Sequence, residues 1–162
     1  MDCEAILLKL RSVEGSRHTF NPPCTDAHIR AVEDSLGQMP SWLRGMLKCF
    51  SGAELFLFQG PCDTIFGLSL PADEGFWSVD RYTPVWREHR PGEKEWAIGI
   101  TNYGGLYVAG SDNSVREWDT SEARWLGSWA SPEEWIEHVI AEGTVVIAEA
   151  KQDEEAERAR RK

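Results

Sequence analysis

The chain has 162 residues, with 27 acidic and 17 basic side chains, a formal net charge of −10 and an isoelectric point near 4.9. This length is sufficient for one domain with a proper hydrophobic core. The acidic surplus repels phosphate backbones and anionic lipids, so we expect neither nucleic-acid nor membrane binding. A basic protein is the partner that such a charge attracts. Charge alone, however, favours the simpler explanation that acidity keeps the protein soluble.

The N-terminal sequence, MDCEAILLKLRSVEG, lacks the basic region and the long apolar stretch of a signal peptide. No stretch approaches the ~20 apolar residues of a membrane span, so we expect a cytoplasmic protein. A reducing compartment and the absence of a C-x-x-C pair predict free thiols. The four cysteines are Cys3, Cys24, Cys49 and Cys62.

The first two helices are predicted from apolar spacing and capping residues. One covers residues 4–13. The other begins after Thr25, a natural N-cap, and ends at Gly37, which suits the position after a helix. Their apolar faces are Ala5, Leu8 and Val13 in the first, and Ile29, Val32 and Leu36 in the second.

A third predicted helix begins near Pro40 and ends before Gly52. Gly45 lies inside it and weakens it by about 1 kcal/mol relative to alanine, which a close approach to a neighbouring element would explain. Gly52 allows the chain to reverse into the following strand. The large apolar residues of this helix are expected to cover one face of a sheet, and they are Trp42, Leu43, Met46, Leu47 and Phe50.

Strands are predicted after this turn, where the apolar period changes. Gly104 and Gly105 are expected to supply the positive φ values of a hairpin turn. The segment from Pro71 to Glu93 is interpreted as a helical turn plus a loop. The predicted strands are ELFLFQ, TIFGLSL, WAIGI, LYVAG and VREWDT.

The last helix has the clearest start: Ser131 is an N-cap, Pro132 follows at the first helical position, and Glu134 completes a capping box. Beyond Gly143 the run TVVIAEA fits either a short strand or more helix. The charged tail, residues 151–162, suits an exposed helix with ion pairs four residues apart. The apolar face of the helix is Trp135, Ile136, Val139 and Ile140.

Helices, then a run of strands, then a helix predict an α+β fold. We expect a single domain over residues 1–150, an antiparallel sheet of about five to six strands with flanking helices, and a charged tail over 151–162. The predicted core includes Leu43, Leu47, Phe50, Trp96, Ile98 and Ile136.

Three stretches in this order resemble the SMI1/KNR4 family of the SUKH superfamily: TDAHIRAVEDSLGQMPSWLRGMLKCFSGAELF, WAIGITNYGGLYVAGSDNSVREWD and GSWASPEEWIEHVI. They look like the family's paired helices, its central hairpin and its closing segment, in which an aromatic residue precedes a capped helix. The resemblance covers residues 22–142. The first turn, Ser51-Gly52-Ala53, departs from the Asn-Gly-Gly type turn that the family often has.

No constellation typical of catalysis or metal binding stands out in the sequence. Cys24 and His28 would make half a zinc site, but no second pair has suitable spacing. Asp112 and Asp119 are the candidates for an acid–base pair, although aspartates in turns normally accept backbone hydrogen bonds. We therefore expect no catalytic residue, no metal and no cofactor.

An acidic and aromatic segment is the strongest candidate for a binding surface, because it mixes carboxylates with rings that are costly to expose. The alternative is a loop whose rings fold back onto the sheet, and the sequence does not decide between the two. The candidate partner-binding residues are Asp73, Glu74, Trp77, Asp80, Tyr82 and Trp86.

The resemblance implies a non-enzymatic protein-binding module, an immunity protein of bacteria that neutralises a cognate toxin by occlusion. The toxin would be a basic protein domain, with a nuclease as one candidate. Two alternatives stay open: a scaffold or regulatory protein of the same fold with another cellular partner, and a small-molecule-binding protein that uses the cleft between helix and sheet.

Overall fold

The computed structural model describes residues 3–13, 17–56, 63–69, 78–91 and 94–161. These residues form five helices and one antiparallel sheet of seven strands, so the predicted α+β class is confirmed. The helices are α1 (Cys3–Ser12), α2 (Asp26–Leu36), α3 (Ser41–Cys49), α4 (Val79–His89) and α5 (Pro132–Arg160). The strands are β1 (Thr19–Phe20), β2 (Ala53–Leu55), β3 (Asp63–Ile65), β4 (Trp96–Thr101), β5 (Gly105–Ala109), β6 (Val115–Asp119) and β7 (Arg124–Trp129).

The sheet is a meander in which each strand pairs with the next one along the chain, from β1 to β7. The sequence predicted five strands here and left a sixth open beyond Gly143. That segment is helix in α5, while β1 and β7 are additional strands. β1 has only two residues, and β7 alternates exposed with half-buried positions at the sheet edge, so neither carries a strong apolar pattern.

Helices α4 and α5 cover opposite faces of the sheet. In the β5–β6 register, Tyr107 lies opposite Glu117 and the preceding Leu106 lies opposite Trp118. Side chains of successive strand residues point to opposite faces. Trp135 of α5 contacts Tyr107 with ring centroids 5.4 Å apart, whereas α4 packs against Trp118. We call these two surfaces the α5 face and the α4 face.

The six predicted core residues are all buried, and Trp42 and Met46 of α3 are buried with them. The large apolar side chains of α3 therefore serve the core, as expected. The turn after α3 also needs its glycine, because Gly52 has φ of +93° and a Cβ there would lie 2.8 Å from the backbone nitrogen of Gly67. In the later hairpin only Gly104 has a positive φ, so the expectation for Gly105 is wrong.

Two expectations about the first helices are also wrong. Helix α1 buries Ile6 and Leu10, one turn apart, and leaves Leu8 68% exposed, because the apolar stripe is offset from the face we predicted. A Cβ added at Gly45 would meet none of the described residues within 4 Å, so the expected close approach at this side of the glycine is not seen among them. Its helical cost is thus not explained by packing.

The last two helices are longer than predicted. In place of a turn and a loop, Val79–His89 is an eleven-residue helix, while residues 70–77 lie outside the described part of the chain. Helix α5 begins as predicted, with Ser131 Oγ accepting a hydrogen bond from the Glu134 backbone at 3.2 Å. It runs for 29 residues through Gly143 and into the predicted tail. Within the described ranges, no helix combines the length and hydropathy of a membrane span.

Candidate functional site

The predicted acidic and aromatic segment is described only in its second half. Asp73, Glu74 and Trp77 lie outside the described residues, so their role stays a prediction. Asp80 lies in the first turn of α4, where its Oδ1 accepts a hydrogen bond from the Ser69 backbone at 2.9 Å.

The two described rings of this segment fold onto the sheet. Tyr82 is half-buried, with its ring centroid 5.0 Å from that of Phe66. Trp86 is buried, and its ring contacts Trp118 at 5.8 Å and Trp125 at 5.9 Å. In this structure Trp86 is a core residue and not an exposed anchor, because its position on α4 directs it at the α4 face.

Glu95 is the buried carboxylate of the α4 face, and both of its oxygens have partners. Oε2 accepts a hydrogen bond from Trp86 Nε1 at 3.2 Å, and Oε1 forms an ion pair with Arg116. Arg116 in turn lies over the Trp125 ring, 4.1 Å from its centroid. A buried charge with a cation and a second donor is a structural element of the core.

The α5 face carries a different arrangement, which we call the acidic pocket. It has a volume of about 340 Å³ and lies where the start of β3, the β4–β5 turn and the middle of α5 meet. Its described lining residues are Asp63, Asn102, Tyr103, Glu142, Val145 and Val146.

Asp63 is the most buried carboxylate of the acidic pocket, with only 5% of its surface exposed. Its Oδ1 accepts a hydrogen bond from the Tyr107 hydroxyl at 3.1 Å, and no described residue donates to its Oδ2. Burial raises the pKa of Asp63 to about 7; the Tyr107 hydrogen bond opposes this rise, and the charges of Glu142 and Glu117 add to it. Burial also raises the pKa of Tyr107, which keeps its hydroxyl a donor.

Glu117 stands beside this pair on β6, opposite Tyr107 in the register. It is 4% exposed, and its Oε1 is buried without a hydrogen-bond partner among the described residues. Burial raises the pKa of Glu117, a hydrogen bond from Tyr103 opposes that rise, and the charge of Glu142 adds to it. Gly105 makes room for the carboxylate, since a Cβ there would overlap Oε1.

The acidic pocket has a surplus of negative charge. Within the described ranges, no lysine or arginine forms an ion pair with Asp63, Glu117 or Glu142, and the closest basic group is His138, whose Nε2 lies 3.4 Å from Glu142. Nor do three or more potential ligand side chains of the described residues converge as they would around a metal ion. The arrangement therefore suits an organic cation.

The other candidate residues from the sequence make hydrogen bonds with neighbouring side chains. Asp112 and Asp119 accept hydrogen bonds from Ser114 and Ser121, and these bonds are the first cause of the lowered pKa of each aspartate. They act as turn residues, as the simpler explanation predicted. The buried Cys24 donates from Sγ to Ser51 Oγ at 2.9 Å.

The sequence reasoning missed Asp63, Glu117 and Glu142, because each belongs to a different element and none belongs to a motif. One local signal was available. Gly105 is the first residue of β5, and a glycine in a strand marks either a bulge or a close approach by another group.

Neither a protein-family model nor a curated protein matches this chain. The relation to the SMI1/KNR4 family therefore stays a resemblance.

Proposed function

We propose that the chain is a non-enzymatic protein-binding module, an immunity protein that neutralises a basic toxin domain by occluding it. One observation carries this proposal: neither Asp63 at the wall of the acidic pocket nor the buried Glu117 behind it has a lysine or arginine partner among the described residues. Burying a carboxylate without a cation is costly, and the cost falls when a partner brings the cation. The immunity role itself comes from the resemblance to the SMI1/KNR4 family.

The net charge of −10 would attract a basic partner before the two proteins touch. An acidic surface attracts a basic domain over distances of about one Debye length, roughly 8–10 Å at physiological salt. Steering of this kind raises the association rate, and salt weakens it. In the predicted surface, Asp73 and Glu74 would contribute rim charges and Trp77 a ring, and Asp80 of the first turn of α4 would add a further charge.

Coexpression tests the proposal. The product of the adjoining gene is expressed from an inducible promoter with and without this chain, and growth and complex formation are measured. We expect growth arrest that this chain relieves, together with a one-to-one complex whose association rate falls as salt is raised. A neighbouring product that is not toxic, or that forms no complex, would contradict the immunity role and favour a scaffold or regulatory protein with another partner.

A second candidate is a small-molecule-binding protein that uses the cleft between helix and sheet. The acidic pocket supports it, since about 340 Å³ is near the lower end of the roughly 300–1,000 Å³ that ligand sites occupy. Thermal-shift measurements against a panel of small organic cations separate the two candidates. Tight, micromolar binding of one free cation would favour the second.

A further inference from the structure

We infer that the acidic pocket binds one cationic side chain of the protein partner, either the guanidinium group of an arginine or the ammonium group of a lysine. Asp63 is the main acceptor for this group. This inference rests on the proposed function and deepens it, because it assigns a specific entry point to the basic partner.

The wall of the acidic pocket holds an acceptor oxygen that lacks a donor among the described residues. Asp63 is nine-tenths buried, lines the acidic pocket and uses one oxygen for Tyr107, which leaves Oδ2 without a donor among the described residues. Glu117 does not line the pocket, but its charge acts on Asp63, and its own Oε1 lacks a partner. A side chain that carries both positive charge and N–H donors supplies what Asp63 Oδ2 lacks.

The acidic pocket also has an apolar wall near its mouth. Val145 is 56% exposed and Tyr103 is 60% exposed, and both line the acidic pocket together with Val146. Lysine and arginine pack their methylene stems along such surfaces while the charged group reaches a polar site. An aromatic ring beside the path adds a cation–π contact.

The charge of the acidic pocket disfavours other ligand classes. Phosphates and carboxylates would be repelled by Asp63, Glu117 and Glu142. A metal ion needs ligands that converge, and the described residues provide no such group. A neutral polar ligand would satisfy one oxygen but leave the charge uncompensated.

The change in the protonation of Asp63 on binding can be measured in the wild-type chain, without any variant. The groups that face Asp63 are Tyr107 from β5, Glu117 from β6 and Glu142 from α5. Tyr103 of the turn acts on Glu117, and so does His138 of α5, the only basic group of this set. A bound cation favours the carboxylate, so binding should lower the pKa of Asp63 and release a proton near neutral pH.

The experiment uses N-acetyl-arginine methylamide as a probe and the citrulline analogue as its neutral isostere. Both are titrated at pH 8 and low salt while the backbone amides of Asn102, Tyr103, Val145 and Val146 are followed by NMR. We expect the arginine probe to bind with a Kd of the order of 1 mM and the citrulline probe at least about tenfold more weakly. Carbon-detected titration should show the pKa of Asp63 falling when the arginine probe saturates the site.

Asp63→Asn should weaken binding of the arginine probe by about tenfold. The matched control is Asp34→Asn, which removes the same charge from an exposed position on α2 and should bind as wild type does. Equal binding of the arginine and citrulline probes, or an unchanged pKa of Asp63 at saturation, would overturn the inference. The pKa measurement decides the matter in the wild-type chain even if the Asp63 variant fails to fold.

Spermidine distinguishes a free amine from a protein side chain as the source of the cation. Binding about a hundredfold tighter than that of the arginine probe would support the cation site and overturn its assignment to a protein partner. The coexpression complex separates this inference from the proposed function. A complex that forms but is insensitive to Asp63→Asn refutes the pocket alone, whereas probe binding without any complex refutes the immunity role alone.

Discussion

On the α4 face, Glu95 is buried with Arg116 and the Trp86 indole as partners; on the α5 face, Asp63 and Glu117 are equally buried and have no lysine or arginine among the described residues. Arg116 and Glu117 are consecutive residues of β6, and the pleat directs them to opposite faces. One strand thus supplies the cation to one face and a further acid to the other.

This difference separates two uses of a buried carboxylate. Where the chain brings its own cation, as at Glu95, the charge of the carboxylate is compensated within the chain. Where burial and neighbouring acids raise a carboxylate's pKa, as at Asp63, the free energy of unfolding is reduced, and the position in a cleft makes the group a candidate binding residue.

The largest effect is expected from Arg116→Met, which leaves Glu95 buried without its cation. We expect a loss of about 3–5 kcal/mol in the free energy of unfolding, measured by urea denaturation at pH 7.5. Arg158→Met is the control, because its ion pair with Glu154 is exposed and should contribute under about 0.5 kcal/mol. Similar small losses in both variants would mean that Glu95 does not depend on Arg116.

The second effect concerns pH. The pKa of Asp63 is raised from 3.8 to about 7, so between those values the folded state holds a proton that the unfolded state has lost. The free energy of unfolding should therefore fall as pH rises from about 4 to 7 and level off above, by up to about 4 kcal/mol at 1.36 kcal/mol per pH unit.

Other carboxylates act in the opposite direction, so the contribution of Asp63 is measured as a difference between variants. The advantage of Asp63→Asn over wild type should grow from pH 4 to pH 8 by that amount, while Asp34→Asn keeps the wild-type profile. If wild type and Asp63→Asn change in parallel across this range, the carboxylate of Asp63 titrates as an exposed one does.

The contrast also explains which features were predictable from sequence. Caps and apolar stripes are local signals, and they located α2, α3 and the start of α5, together with the six core residues. The sequence left open whether Trp86 is exposed or buried, because that depends on which way α4 faces. The acidic pocket could not be predicted either, since Asp63, Glu117 and Glu142 meet only after β3, β6 and α5 have packed.

A smaller effect is expected at Gly105, the glycine that makes room for the Glu117 carboxylate. A Cβ there would overlap Glu117 Oε1 and lie 2.9 Å from Thr101 Oγ1. Gly105→Ala should cost about 1–3 kcal/mol in the free energy of unfolding. The cost should fall in a Glu117→Ala background, because the two residues are in contact and their effects are coupled. An equal cost in both backgrounds would show that the carboxylate is not what requires glycine.

The smallest effect is expected at Gly45, which serves as the matched glycine for that test. It lies inside α3, and a Cβ there meets nothing within 4 Å. Alanine loses less backbone entropy than glycine on folding, so Gly45→Ala should raise the free energy of unfolding by about 0.5–1 kcal/mol, measured by the same urea titration. Suppose that the free energy of unfolding rises in Gly45→Ala and falls in Gly105→Ala. The fall then comes from the contact that only Gly105 makes, and not from the backbone cost that both glycines share. A loss at Gly45 would instead mean that α3 needs this glycine for a contact beyond the described residues.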